Sequence, residues 1–220
     1  KKRKVCKPMR ICLVIAVIVS VTTCVRADNE RPNILFIMSD DHTTQAFGVY
    51  GSRLARLDPT PNIDRLAENG IRFDQAYIGA KCVPSRATAL TGRLQFAARS
   101  NYDGTSIEGN LYWMPTIREK GYYTGMIGKW HWGKGAVAHQ HGTSWDWSVV
   151  WDHGAYDAAG GYYHDQYVMI NGAPQVPLGG YSTDRYTDYT EQFIRERAKE
   201  PDKPWFYWLC YAAVHGPYTP

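Results

Sequence analysis

After residue 30, apolar residues gather in short runs, each closed by a turn residue or a charged one. Asn33 to Ser39 is a continuous apolar run of strand length, which predicts a strand buried on both faces, and Asp40-Asp41-His42 stand at its C-terminal end. Thr60 and Pro61 open a helix that places Ile63, Leu66 and Ala67 on one face, and Gly70 closes it. Ile71 to Tyr77 alternates and predicts a strand. Pro84 to Thr91 predicts a second helix with Gly92 as its stop. Pro115 to Lys120 predicts a third, stopped by Gly121, which feeds a strand from Tyr122 to Gly128.

Residues 132–181 lose helical periodicity and are rich in Gly, Trp, Tyr and His. Within them Tyr163 to Ile170, the Asn171-Gly172 pair and Ala173 to Val176 predict a hairpin. Trp145, Trp147, Trp151 and Tyr156 can either line a cleft and stack on sugar rings or form a small satellite core. Ser182 or Thr183 caps a long helix with Tyr186, Tyr189, Phe193 and Ile194 inward, ending before Pro201. Trp205 to Val214 predicts a last buried strand, followed by His215. Strands alternating with helices imply an α/β fold with a largely parallel sheet, whose sites form outside the C-terminal strand ends. Three predicted strands end in chemically able residues: Asp40 and Asp41, then Lys129 and His131, then His215. One such ending is ordinary; three suggest a single site.

Charge changes the picture at the N-terminus. The formal charge of +4 invites a nucleic-acid partner, but residues 1–27 hold seven of the 25 Lys/Arg and no Asp/Glu. Without them 18 basic residues face 21 acidic ones, a net of −3 for residues 28–220, so nucleic acid is excluded as a partner. The basic stretch to Arg10, the apolar run from Ile11 to Val25 and the Val25-Arg26-Ala27 pattern predict a secretory signal peptide over 1–27. That run is shorter than the roughly 20 residues of a spanning helix, so export rather than a stable membrane span is expected, to the periplasm, the cell exterior or the secretory pathway. Met9 is the expected natural start, and the stop after an apolar run predicts a longer parent chain. Cys6, Cys12 and Cys24 lie in the leader, leaving Cys82 and Cys210, too few for a disulfide scaffold.

Adjacent carboxylates such as Asp40-Asp41 repel unless a cation or basic group lies between them, and hard oxygens suit calcium or magnesium; a capping pair is the other reading. His42, His139, His141, His153 and His164 show no transition-metal spacing. The decisive stretch is Lys81-Cys82-Val83-Pro84-Ser85-Arg86-Ala87-Thr88-Ala89-Leu90-Thr91-Gly92. It resembles the sulfatase signature C-x-P-S-R followed by L-T-G. The likeness runs from Pro32 to Pro220 through Arg31-Pro32-Asn33-Ile34, Thr60-Pro61-Asn62-Ile63-Asp64-Arg65-Leu66-Ala67, Gly128-Lys129-Trp130-His131 and His215-Gly216-Pro217-Tyr218, in the family's order. Val83 stands where that family often has threonine, at a variable position.

The resemblance implies an alkaline-phosphatase-like sheet with helices on both faces, here cut before its C-terminal part. It implies hydrolysis of sulfate esters, with a sulfated carbohydrate as the expected partner. It also implies that a separate formylglycine-generating enzyme converts Cys82 to formylglycine, reading Pro84 and Arg86. One hydroxyl of the hydrated aldehyde would attack sulfur and displace the alcohol. Loss of the proton from the other would expel sulfate and restore the aldehyde, an exit a serine ester lacks. Asp40, Asp41 and the modified Cys82 would bind calcium (magnesium being the alternative), and Arg86 would hold the diol. Lys129 would bind a sulfate oxygen, His131 would take the second proton, and His215 would assist protonation of the leaving oxygen. The remaining metal ligands, a further sulfate-binding lysine and a smaller C-terminal domain would lie beyond Pro220. Two rival readings are a phosphonate or phosphate monoester hydrolase of the same superfamily and a carbohydrate-binding pseudoenzyme. The intact Cys82, Arg86, Lys129 and His131 oppose the second.

Overall fold

Strand β1 (Ile34–Met38), β2 (Tyr123–Lys129), β3 (Trp147–Trp151), β4 (Tyr167–Ile170), β5 (Val176–Pro177) and β6 (Trp205–Cys210) form one sheet in the order β1-β6-β2-β3-β4-β5. This is a computed structural model, and it describes residues 31–79, 81–97, 112–131, 142–152 and 160–218. The predicted signal peptide, Tyr156, His139, His141 and His153 lie outside the described residues. Among the described residues, no helix is long and apolar enough to cross a membrane.

The first four strands of the order, β1, β6, β2 and β3, run parallel, while β4 pairs antiparallel with β3 and with β5. The β4–β5 connection turns on Asn171 and Gly172, at φ 51° and 73°, with Ala173 N–H donating to the Ile170 carbonyl at 2.9 Å. Two successive positive φ values match the twist of the flanking strands, which is why Asn-Gly is found there. The helices are α1 (Pro61–Glu68), α2 (Cys82–Thr91), α3 (Trp113–Glu119) and α4 (Ser182–Arg197).

Side-chain alternation divides the core into two layers. From β6, Phe206, Trp208 and Cys210 join Met126, Val150 and the α2 residues Val83, Ala87 and Leu90 on one face. Trp205, Tyr207 and Leu209 join Ile127, Val149, Trp151 and the α4 residues Tyr186 and Phe193 on the other. Strands buried on both faces have no polar side to show, so β6 reads as an unbroken apolar run.

Four expectations change. The strand beginning at Asn33 is not buried on both faces: Leu35, Phe36 and Ile37 are exposed, and among the described residues β1 lies at the sheet edge and pairs only with β6. Ile71 to Tyr77 forms no strand and leaves Ile71, Phe73 and Tyr77 exposed, so its alternation has no neighbouring strand to meet. Residues 147–151, inside the aromatic stretch, form the central strand β3. Of the two readings open for the tryptophans, Trp145 and Trp151 take the core one, in the main core layers rather than a satellite. Trp147 starts β3, so it stands at the sheet end opposite the C-terminal strand ends. The last strand ends at Cys210, four residues earlier than Val214.

Candidate active site

The C-terminal ends of β1, β2 and β6 converge as the sequence predicts. Asp40 N–H donates to the Ala213 carbonyl and Val214 N–H donates to the Asp40 carbonyl, both at 2.8 Å, so the segment after β6 is laced to the segment after β1. This brings Asp40-Asp41 beside His215. Next to them Gly128 lies opposite Cys210 with φ +102°, and a Cβ there would stand 1.9 Å from the Cys210 carbonyl oxygen. Only glycine permits that approach, which sets Lys129 at the end of β2.

Helix α2 delivers the remaining groups. Lys81 is its extended N-cap, Cys82 is in its first turn, and Gly92 ends it in the left-handed region with N–H donating to Thr88. Val83, Arg86, Ala87 and Leu90 follow helical spacing on the buried face. Arg86 is thereby carried inward with three apolar neighbours and is only 1% exposed. Cys82 stays partly exposed, next to the helix N-terminus where free N–H groups favour an anion.

The buried charges form a chain of contacts. The Asp40 carboxylate pairs closely with Lys129 Nζ, and its other oxygen lies 3.8 Å from Arg86 Nη2. Arg86 Nη1 donates to the Lys129 carbonyl at 2.6 Å. Lys129 Nζ also donates to the Tyr162 hydroxyl at 3.1 Å. Arg86 Nε and Nη2 are buried and make no hydrogen bond to oxygen or nitrogen among the described residues, while the Cys210 thiol lies against the guanidinium. Two buried cations thus gather around the buried Asp40 carboxylate, and the buried Asp152 follows Trp151, the register partner of Lys129.

His215 completes the rim. Its Nδ1 donates to the Gly216 carbonyl at 2.5 Å, which fixes the proton on that nitrogen, and Nε2 faces Asp41 Oδ2 at 3.5 Å. Its ring stacks on Tyr162 with centroids 4.6 Å apart and planes 11° apart. His131 follows two residues after Lys129, half-buried, with left-handed backbone at φ 50°. His42 instead packs on Phe47 at 4.1 Å, as a loop histidine would.

Burial sets the electrostatics. It pulls the Lys129 ammonium below its ordinary pKa, opposed by the Asp40 carboxylate beside it. Burial, then the charges of Asp40 and Cys82, push the Tyr162 phenol upward, so it remains protonated. Cys82 is close enough to act electrostatically on both groups. The other thiol, Cys210, is wholly buried and pushed up to about 11 by burial, which makes it an inert core residue.

Asp40 and Asp41 are hard oxygen donors at one strand end, the right chemistry for calcium, and Asp41 is exposed to an incoming ion. Calcium takes about six to eight oxygens, and the described residues contain no cluster of three or more His, Cys, Asp or Glu able to hold a metal. The donor set therefore fits as part of a shell. Sequence reasoning missed Tyr162 and Tyr163, which sit in the aromatic stretch without periodicity. Their only signal is position, just after Gly160-Gly161 and before β4.

The family model for sulfatases matches residues 32–220. The chain is similar to an N-acetylglucosamine-6-O-sulfatase of Bacteroides thetaiotaomicron, 36% identical over 197 residues, covering 89% of this chain and 33% of the relative. It is also similar to arylsulfatase J of Mus musculus, 30% identical over 207 residues, covering 87% of this chain and 34% of that one. Among solved structures, BT4656 in complex with its substrate D-glucosamine-2-N,6-O-disulfate superposes with a TM-score of 0.73 at 35% identity, covering 86% of this chain and 36% of that chain. The chain thus spans about a third of the length of the curated relatives it matches.

Proposed function

The chain belongs to the sulfatase family, and from that premise we propose that its protein hydrolyses sulfate esters, with 6-O-sulfated glucosamine residues as the substrate class. The observation that carries the reading is the buried Asp40–Lys129–Arg86 cluster, whose Arg86 stands one helical turn after Cys82 on α2. A water-filled solvent face would not retain buried guanidinium donors of this kind, whereas an oxyanion uses them. The glucosamine assignment is supported by the relative and the solved structure whose names carry that sugar.

Cys82, once oxidised to formylglycine by a separate enzyme, supplies a hydrated aldehyde as the nucleophile. Asp40 and Asp41 would hold part of a calcium ion's shell, and the ion's charge would favour the deprotonated form of that nucleophile. The remaining work falls to side chains of this chain. Arg86 donates to the nucleophilic residue through a planar fork that a lysine cannot reproduce. Lys129, with one proton on Asp40 and one on Tyr162, directs the third at a sulfate oxygen. His131 accepts the proton whose loss expels sulfate. His215, with Nδ1 already committed to Gly216, gives a proton from Nε2 to the leaving alcohol oxygen.

The test is turnover by the protein produced over the full length of its gene with a formylglycine-generating enzyme. Glucosamine-6-O-sulfate should be hydrolysed faster than a phosphonate ester, and peptide mass spectra should show an aldehyde at residue 82. Cys82→Ala should abolish turnover. Faster phosphonate hydrolysis, or a free thiol at Cys82 in active enzyme, overturns the reading. The leader over 1–27 supports export with a mature N-terminus at or near Asp28; N-terminal sequencing that finds Met9 retained counts against it.

A further inference from the structure

We propose that Tyr162 is a positioning residue of this site, aligning Lys129 and His215 toward the same sulfate ester. The inference rests on the sulfatase reading above and adds a residue to it. Tyr162 touches both groups at once. Its hydroxyl oxygen accepts from Lys129 Nζ at 3.1 Å, and its ring stacks on the His215 imidazole at 4.6 Å and 11°.

An ammonium has three donors on tetrahedral directions. With one held by Asp40 and another by Tyr162, the direction of the third is fixed, and the group ceases to be a freely rotating point charge. The imidazole is aligned in a different way. Its Nδ1 bond to Gly216 still allows the ring to tilt, but a nearly coplanar phenol against one face does not.

The tyrosine is itself held. Its ring meets the buried Trp151 of β3 edge to face at 5.0 Å, so its orientation is inherited from the central sheet. The next residue, Tyr163, is buried, and its hydroxyl donates to the His215 carbonyl at 2.5 Å. Adjacent tyrosines therefore secure His215 twice, one at the side chain and one at the backbone. A tyrosine that only filled space would need neither the Lys129 bond nor a parallel stack on a rim histidine.

The two contacts separate by mutation. Tyr162→Phe keeps the stack and removes the oxygen, so KM for a sugar sulfate should rise about fivefold with kcat within about twofold. Tyr162→Leu removes the stack, so kcat should fall about 30-fold on a sugar sulfate, whose alkoxide needs a proton. On 4-nitrophenyl sulfate, whose leaving group needs none, the same variant should lose only about threefold. A purely structural role would depress both substrates alike. Wild-type enzyme that hydrolyses no sulfate ester would sink the sulfatase reading. Active wild type with Tyr162→Phe unchanged in KM, or Tyr162→Leu equally poor on both esters, would instead overturn the role of Tyr162. Tyr162→Phe decides the matter alone where the leucine variant does not accumulate as folded protein.

Discussion

Phe36 on β1 and Trp208 on β6 are register partners whose rings meet edge to face at 5.7 Å, yet Phe36 is 41% exposed and Trp208 only 2%. That contrast holds across the two regions they belong to. In β6, β2, β3 and α4, apolar side chains fill both faces of the sheet, and even Lys129 and Thr124 are wholly buried. In residues 34–79, Ile63, Leu66, Ile71 and Phe73 remain exposed around a groove of about 470 Å³. That flank is fastened by polar bonds instead. Asp64 accepts from Val49 N–H at 2.9 Å and from Thr60 Oγ1 at 3.0 Å, while Thr60 Oγ1 accepts from Gly48 N–H at 2.9 Å. The candidate site straddles the seam. Its carboxylates, Asp40 and Asp41, come from the exposed flank, and its cations come from the filled centre.

The largest expected effect tests whether the centre is where cohesion resides. Trp208→Ala should cost about 3–5 kcal/mol, because a nearly sealed indole touching Phe36, Trp130 and Trp145 leaves a cavity its neighbours cannot close. Leu66→Ala, on the flank and 68% exposed, should stay within about 0.5 kcal/mol. Urea denaturation measures both. Equal costs would erase the distinction between the regions.

Next comes the seam itself. Asp40→Leu strands Lys129 and Arg86 as buried cations and should cost about 3 kcal/mol. Adding Lys129→Met removes one stranded charge, so the double variant should recover part of that loss. A single-variant cost below about 1 kcal/mol would mean that the carboxylate is not holding the cations across the seam. Within the flank, Asp64→Ala removes two hydrogen bonds and should cost about 1–2 kcal/mol. The loss should appear as faster amide exchange at Val49, with the amides of β6 nearly unchanged. Uniform acceleration across the sheet would show that flank and centre open together.

Much of the fold and of the candidate site is legible in the sequence, and the failures have physical reasons. The unbroken apolar run at Trp205 and the Gly92 stop of α2 carry their meaning locally, and the structure reproduces both. Asp40, Asp41, Lys129 and His215 could be found because a parallel sheet gathers its C-terminal ends. Leu35, Phe36 and Ile37 misled because an apolar strand advertises burial, whereas exposure depends on what lies alongside. Trp147 to Trp151 hid as a strand because tryptophans also suit ligand clefts, and only the pairing with β2 decides between them. Tyr162 was invisible for a related reason. Its importance lies in what it touches from Lys129 and His215, far away in sequence.

The smallest effect concerns acid, at the end of the filled centre away from the site. Asp146 accepts from Thr124 N–H at 2.9 Å and from Arg118 Nε at 2.8 Å, tying the approach to β3 to the first turns of β2 and to α3. Burial pushes its carboxyl up, but the bonds from Thr124 and Arg118 more than reverse this and leave it below the ordinary value. A carboxyl depressed in the folded state stabilises fully above its unfolded value of about 3.9, and that contribution disappears as pH falls through the folded value. Wild type should therefore lead Asp146→Asn most at neutral pH, with the gap closing below about pH 4. The gap should be modest, since Arg118 is 37% exposed and solvent screens the pair. Catalytic turnover at neutral pH should be unaffected, because among the described residues no group of the candidate site touches Asp146. Denaturation series for the two proteins from neutral to acid pH measure the difference. A gap that stays constant would assign the cost to lost packing and remove Asp146 from the electrostatic account.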